Sequence, residues 1–577
     1  MWFNSDEGFC SMEMRLSDKR ISNKWLLPFV HFWLTFFYEW TILELHPSEN
    51  VVMAVAKSTR YSDTFERIMA YLISKLLAAV LIFFVWKLIF YVIHAWREDR
   101  ALRRFCILFF VGVVVLFLLW PGTFYRSVDN YITYSYATAL YPEYWHNAYS
   151  GFVYAACLMT IPHPFSICLF QWLLFVFNLG YFYHRLSHSK VCNRKSGFLI
   201  FLLILLPETY VLISDAYRTE QYALVCMTFV FTVLLDLVER KEYCTKKLVG
   251  IAFLSAFLAV WRTEGIILGT LFFVAVLLFD PKRNLKRFLC FFAVFCACFL
   301  AVSFPQKVGN EKYYGSDYSI INSFCVLTNV FNMADSNLEY DGVEEDLAAI
   351  EAVVPIEQIR VLGMEGYRRY NYYNGHADIN QSLTDMDTGK RYVKAFYNIC
   401  LHNPKIYLRT QFGMLKAVLK FPKTGYVQYA RIELSQNYPN YQFIGWTNGK
   451  KTLMEYPLVS AWDSIAWRKN LTKNTLKGLK TFENFLSKIC LYPVLLSSIA
   501  IFAVVIFLVD GFGWIGRIKK GEKTMPPIFA FAAMALLGQC AAIAAVMPVG
   551  VFVYFHASYY SLVILEIIFV GYRWKKR

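Results

Sequence analysis

Three short stretches of this chain place ionisable side chains where apolar sequence stops. They are Arg126-Ser-Val-Asp129 after the run Phe105 to Trp120, Asp215-Ala-Tyr-Arg218-Thr-Glu220, and Trp261-Arg262-Thr-Glu264-Gly265. His146, after Tyr144-Trp145, and the stretch His556-Ala-Ser-Tyr-Tyr560 have the same setting. A carboxylate in a partly dry cavity can take the proton of an attacking hydroxyl as a general base. Arginines can clamp phosphate oxygens in a bidentate way while negative charge grows on them. Acids beside arginines therefore suit group transfer away from a phosphate. Glu208, just after Pro207, would lie roughly one turn inside the end of its helix, lining the same space.

Bland readings stand beside these. Asp129 could cap a helix starting near Asn130, and Asp215 one starting at Tyr217. Arg218 with Glu220, and Arg262 with Glu264, could be local ion pairs of small energetic weight. His146 among aromatics could be an interfacial anchor.

The elements that must position these residues are membrane helices. The 577 residues are 57% hydrophobic and only 17% charged, and the mean hydropathy is +0.39, which excludes an ordinary soluble domain. With about 1.5 Å of rise per residue against a hydrocarbon layer of about 30 Å, about twelve spans are predicted. They are Trp25 to Leu45, Ile68 to Ala95, Phe105 to Trp120, Phe165 to His184, Gly197 to Ile213 and Tyr222 to Val238. Then come Leu248 to Trp261, Gly265 to Phe279, Phe288 to Phe304, Ile489 to Val509, Pro526 to Met547 and Val551 to Tyr572. Glu39 and Glu44 make the first the weakest.

Basic residues stay cytoplasmic in short loops. Here every second loop is basic, from Arg97, Arg100, Arg103 and Arg104 through Arg185 to Lys195, Arg240 to Lys247 and Lys282 to Arg287, to Arg517 to Lys523 and the closing Arg573 to Arg577. Both termini are thereby placed in the cytoplasm and the acid and arginine stretches outside. Asn147 to Ile161 is apolar but short for a span, and crossing there would export Arg185, Lys190, Arg194 and Lys195. It reads as a re-entrant or interfacial helix, with Pro162-His163-Pro164 as the turn into the next span.

The domain organisation follows: residues 1–304 form a transmembrane core carrying the outer site, 305–488 an inserted extracytoplasmic domain, and 489–577 the last transmembrane helices. The inserted domain begins acidic and turns basic from Lys390 to Lys488, where Lys and Arg outnumber Asp and Glu about fourfold. Such a field favours an anionic partner or the bilayer surface. Its two cysteines, Cys325 and Cys400, could bridge in an oxidising compartment.

No phosphate-binding glycine loop, C-x-x-C pair or H-E-x-x-H motif occurs, so a nucleotide site of Walker or Rossmann type and a zinc site lack support. The uneven Asp335, Asp341 and Asp346 do not make a calcium loop. The beginning of the chain shows no cleavable leader, and its first span would serve as the membrane address.

The Pro121-Gly122 turn with Asp129 after six further residues, a re-entrant helix preceded by Trp145-His146, the outer acid in Asp215-x-x-Arg218, and the Arg262-x-Glu264-Gly265 turn together resemble the GT-C superfamily. These are polytopic membrane glycosyltransferases that use polyprenyl-phosphate-linked sugars, and the pattern is most similar to bacterial mannosyl-, arabinosyl- and glucosyltransferase types. The likeness covers roughly residues 100 to 280, with looser agreement at Tyr559 and Tyr560. The usual His-Pro is here His146-Asn147, and a paired acid is here Asp129-Asn130.

The resemblance implies an all-α polytopic membrane fold and an inverting transfer with Asp129 as general base and Asp215 as a second catalytic acid. It implies substrate binding by Arg126, His146, Arg218, Arg262, Glu264, Glu208 and Trp145. The donor would be a polyprenyl-phosphate sugar, the acceptor an envelope glycan, lipid or protein, with membrane lipids around the protein and no nucleic acid. No cofactor is implied, and the lone acid at Asp129 leaves a divalent metal unsupported. A bacterial plasma membrane is the expected location, or the endoplasmic reticulum if the chain is eukaryotic, where Asn380 and Asn470 would be glycosylation acceptors. An O-antigen-type polymerase or ligase, and a lipid flippase or secondary transporter, are the alternatives, although no internal repeat supports the last.

Overall fold

The structure, a computed structural model, describes residues 22–42, 63–98, 128–142, 147–163, 165–206, 209, 218–282, 284–313, 316–361, 386–419, 491–520, 526–547 and 552–576, with isolated positions between 103 and 115 and between 466 and 481. Every regular element among the described residues is helical. In chain order these are α1 (Ser22–Ile42), α2 (Asp63–Glu98), α3 (Val128–Ala139), α4 (Ala148–Thr160) and α5 (Phe165–Ser187), followed by the 3₁₀ helix Arg194–Phe201. Next come α6 (Arg218–Val238), α7 (Thr245–Trp261), α8 (Gly265–Phe279) and α9 (Leu285–Tyr313). Five smaller helices follow: α10 (Ser316–Asn332), α11 (Val343–Glu351), α12 (Ile356–Val361), α13 (Met386–His402) and α14 (Pro404–Leu419). The chain closes with α15 (Leu491–Lys519), α16 (Ile528–Val546) and α17 (His556–Lys576).

Six of these helices are long and apolar enough to cross a membrane: Thr64–Lys87, Ser166–Ser187, Arg218–Val238, Leu285–Gly309, Val494–Lys519 and Ile528–Val546. The described residues are thus all-helical in their regular structure and consistent with a polytopic membrane protein. α6 is its hub, with 83% of its apolar window buried, whereas α9 and α15 bury only 17% and 22% of theirs and present Leu289, Leu300, Val504 and Phe512 outward.

Lipid tails are as apolar as leucine, so packing between such helices relies on close backbone approach and polar ties. Both occur here. Gly265-Ile-Ile-Leu-Gly269 lets α8 lie against α7: a methyl on Gly265 would meet Leu258 O at 2.3 Å, and one on Gly269 would meet Ser255 O at 2.4 Å. Asn178 of α5 donates to Leu224 O at 2.9 Å on α6 and accepts from Thr228. Glu39 of α1, an awkward acid in an apolar segment, pairs with Lys75 of α2, whose ammonium also lies 3.6 Å from the Phe36 ring centroid.

The register of α5 on α6 runs parallel, from Gln221 and Ile167 to Arg185 and Asp236. α7 returns antiparallel, with Lys247 at Asp236 and Leu258 at Tyr222. α17 again runs parallel to α6, from His556 at Glu220 to its basic end beside Lys190. The bundle therefore has a Trp261 end and an Asp236 end.

α4 is buried along its whole length and packs on α1, α2, α3, α5, α7 and α9. Asn147, which caps it, donates to Val260 O at 2.6 Å, and Ile167, just past the following turn, accepts from Gln221. The start of α4 and the first turn of α5 thus both lie at the Trp261 end.

Some expectations change. Gly197 to Ile213 is not one α-helix: 3₁₀ geometry covers Arg194–Phe201 and a single α turn Leu202–Leu205. The segment wedges between α5 and α17, and a Cβ on Gly197 would meet Ser187 Oγ at 2.4 Å. α9 continues past Phe304 to Tyr313, so the boundary expected before Pro305 falls inside a helix. Cys325 and Cys400 are free thiols in separate apolar clusters, so no bridge joins them. The predicted span Phe105 to Trp120 lies mostly outside the described residues. Helices α10 to α13 share a core of their own, with Phe324, Leu327, Ile350 and Tyr392, and Tyr407 of α14 ties them to α16.

Candidate functional site

Four helix ends meet around the Trp261 turn. α7 stops because Arg262 leaves helical geometry, at φ −140° and ψ 143°, and its carbonyl then accepts the Gly265 N–H at 2.8 Å to close the turn into α8. Glycine is needed at that point, since a side chain would strike both Leu258 O and the Tyr222 hydroxyl. The turn holds the guanidinium of Arg262 between two partners. Its Nε donates to Glu264, and its Nη1 donates to Thr219 Oγ1 at 2.7 Å, in the first turn of α6. Arg218, the residue before, is buried at the start of the same helix.

Glu220 is closed to solvent and faces His556, the first residue of α17, with Oε1 3.2 Å from Nδ1. That distance is within ion-pair range, although the atoms are not aligned as a hydrogen bond. Tyr560, one turn along α17, approaches Thr209 Oγ1 at 3.2 Å.

α4 also meets this end. Ser150 accepts from Trp261 Nε1 at 3.3 Å, Asn147 holds Val260 O, and the Ala148 N–H donates to Gln306 of α9 at 2.7 Å. α3 packs on the first turns of α4 at Gly151. Asp129 is the second residue of α3, inside the helix rather than capping it, and is placed by its backbone alone.

Of the residues named from sequence, Arg218, Arg262 and Glu264 therefore come together at the Trp261 end, while Asp129 lies in α3, which packs on α4 through Thr133, Tyr136 and Ala137. Arg126, Trp145, His146, Glu208 and Asp215 lie outside the described residues. The expected local pair of Arg218 with Glu220 gives way, because Glu220 turns across to α17. The pair of Arg262 with Glu264 is present, and Thr219 is added to it. His556, Thr219, Asn147 and Ser150 were not singled out as site residues. His556 had a signal, an imidazole at the start of an otherwise apolar helix. The other three are small polar residues with no distinguishing pattern.

The Asp236 end holds a second charge cluster. Asp236 is buried and takes Arg185 at 2.9 Å, Lys247 at 2.8 Å and Lys241 at 3.3 Å, while Glu239 takes Arg185, Lys241 and Ser189. Arg240 adopts φ 55°, a left-handed turn costing about 1–2 kcal/mol, which carries Lys241 back over Asp236. The sequence had offered only basic residues here. In the loop above this cluster, burial and the nearby Asp236 and Asp280 hold the Tyr243 phenol well above its usual range, and burial pushes the Cys192 thiol up to about 11.

Among the described residues no group of three or more His, Cys, Asp or Glu side chains could hold a metal ion. No family model, curated protein or solved structure matches the chain.

Proposed function

We propose that this protein is a membrane-embedded glycosyltransferase of GT-C type, moving one sugar from a polyprenyl-phosphate carrier to an envelope glycan, lipid or protein acceptor. The observation that carries the proposal is the meeting of Arg218, Arg262 and Glu264, from two separate stretches, at one end of the bundle beside the buried Glu220 and His556. Arg262, held by Glu264 and Thr219 rather than by solvent, is pre-set to receive charge, which is what a departing lipid phosphate develops. In the proposed reaction the acceptor oxygen bonds to the anomeric carbon as the carbon–oxygen bond to phosphate breaks. The bonding electrons leave with the lipid phosphate, and the hydroxyl proton passes to Asp129. A single displacement inverts the anomeric centre. The phosphate is already a good leaving group, so positioning and electrostatics supply most of the acceleration.

In this reading about twelve crossings place the Trp261 end on the extracytoplasmic face and the basic Asp236 end in the cytoplasm. The deciding experiment incubates purified protein with polyprenyl-phosphate sugars and a panel of acceptors, comparing wild type with Asp129→Asn. The expected loss is about 10²- to 10⁴-fold in turnover, the usual worth of a general base. Undiminished turnover in a folded Asp129→Asn protein rejects the base. Absence of transfer across the donor panel, with activity depending instead on arginines between Lys390 and Lys488, points to a polymerase or ligase.

A further inference from the structure

Where α15 and α17 end and α16 begins, a cavity of about 270 Å³ opens at the Asp236 end of the bundle. Arg517, Arg573 and Lys576 line it, together with the single carboxylate of Asp510. That carboxylate offsets one of the three charges and also serves α16. Its Oδ2 accepts the Ala530 N–H at 3.0 Å and so closes the first turn of α16. The cations are held by their surroundings: Arg573 lies over the Phe569 ring at 5.4 Å, Lys576 over Tyr572 at 4.5 Å, and Arg517 Nε donates to Gly513 O at 3.0 Å. Positive charge converging on a concave space of this size fits a phosphate group.

The surroundings select which phosphate. Above the cavity α15 turns Val505, Leu508, Val509 and Phe512 outward, an exposed apolar strip directly continuous with the charged space. A ligand seated with its phosphate among the cations can lay hydrocarbon along that strip without leaving the apolar layer. A free phosphate gains nothing from it. We infer that this cavity is a binding site for the headgroup of an anionic glycerophospholipid, with its acyl chains against α15. The basic end of the bundle faces the cytoplasm by the charge bias of its loops, so the lipid belongs to the inner leaflet. This site lies at the opposite end of α6 from the proposed transfer site and does not depend on it.

The test uses the full chain, purified and delipidated in neutral detergent. Thermal unfolding is followed with phosphatidylglycerol, phosphatidylcholine or inorganic phosphate added. Phosphatidylglycerol is expected to raise the midpoint, as any ligand of the folded state does, and the other two to leave it in place. The triple variant Arg517→Gln, Arg573→Gln, Lys576→Gln should need at least about tenfold more phosphatidylglycerol for the same rise. Lys519→Gln with Lys520→Gln, which removes neighbouring charge outside the cavity, should respond as wild type. If the triple variant does not fold, Lys576→Gln alone is read in the same way. An equal rise with phosphatidylcholine, a full effect of inorganic phosphate, or equal loss in the Lys519 and Lys520 variant each overturns the assignment.

Discussion

The carboxylate of Glu220 and the imidazole of His556 face each other at 3.2 Å with both side chains closed to solvent, joining the first turn of α6 to the first residue of α17. Removing one member of such a pair leaves the other buried alone, which is more damaging than removing both. Glu220→Ala and His556→Ala are each expected to cost about 3 kcal/mol or more. The double variant should cost less than the sum, with a coupling of about 1–3 kcal/mol in a double-mutant cycle on the unfolding equilibrium. Strict additivity would mean that the two groups ignore each other.

Arg262 acts through two donors set at an angle, one to Glu264 and one to Thr219. Lysine keeps the charge and loses the fork. Arg262→Lys should keep the protein folded while lowering kcat/KM for a polyprenyl-phosphate sugar at least about tenfold, a loss of about 1.4 kcal/mol of transition-state stabilisation. Rates equal to wild type would leave Arg262 as a structural tie of the turn.

The α7–α8 contact can be probed by a single methyl. Gly269→Ala would press into Ser255 O and the Ala259 backbone, neither of which can swing aside, and should destabilise by about 1–3 kcal/mol. Gly538→Ala, with nothing within 4 Å, is the control and should be neutral or slightly stabilising in its helix. Thermal unfolding of the two variants side by side distinguishes local crowding from a general intolerance of glycine loss.

Cys192 and Cys244 should part in reactivity. The thiolate is the reactive form, so a thiol pushed up to about 11 by burial stays protonated at pH 7.5 and gains reactivity only as pH rises towards that value. Cys244, exposed where α7 begins, should be alkylated at least about tenfold faster at pH 7.5. In a variant keeping Cys244 alone, a membrane-impermeant maleimide should label inverted vesicles and spare intact cells. The reverse would turn the whole topology over.

Where the sequence was legible, the reason is physical. α8 is predicted and found at Gly265 to Phe279, because its run is uniformly apolar and a glycine opens it. The failure at Gly197 to Ile213 has the opposite cause. Hydropathy reports burial, and it does not separate an α-helix from a 3₁₀ segment wedged between two helices. Arg218, Arg262 and Glu264 were found because charge is rare at the ends of apolar helices. Their link through Thr219 was hidden, since one hydroxyl among many carries no pattern. The acids Asp236 and Glu239 were overlooked because counting basic residues fixes orientation and says nothing of what neutralises them. The spacing Gly265-x-x-x-Gly269 was in plain view and predicts the close α7–α8 approach.

One helix ties two parts of the molecule together. α9 runs from Leu285 to Tyr313, ahead of α10, over about 43 Å at 1.5 Å per residue, with Pro305 inside it. In its C-terminal third, Gln306 accepts from the first amide of α4, and α4 in turn packs against α3 at Gly151. A tilt of α9 would therefore load the Ala148 amide and, through α4, the packing of α3, a mechanical linkage that Gln306→Ala would disconnect.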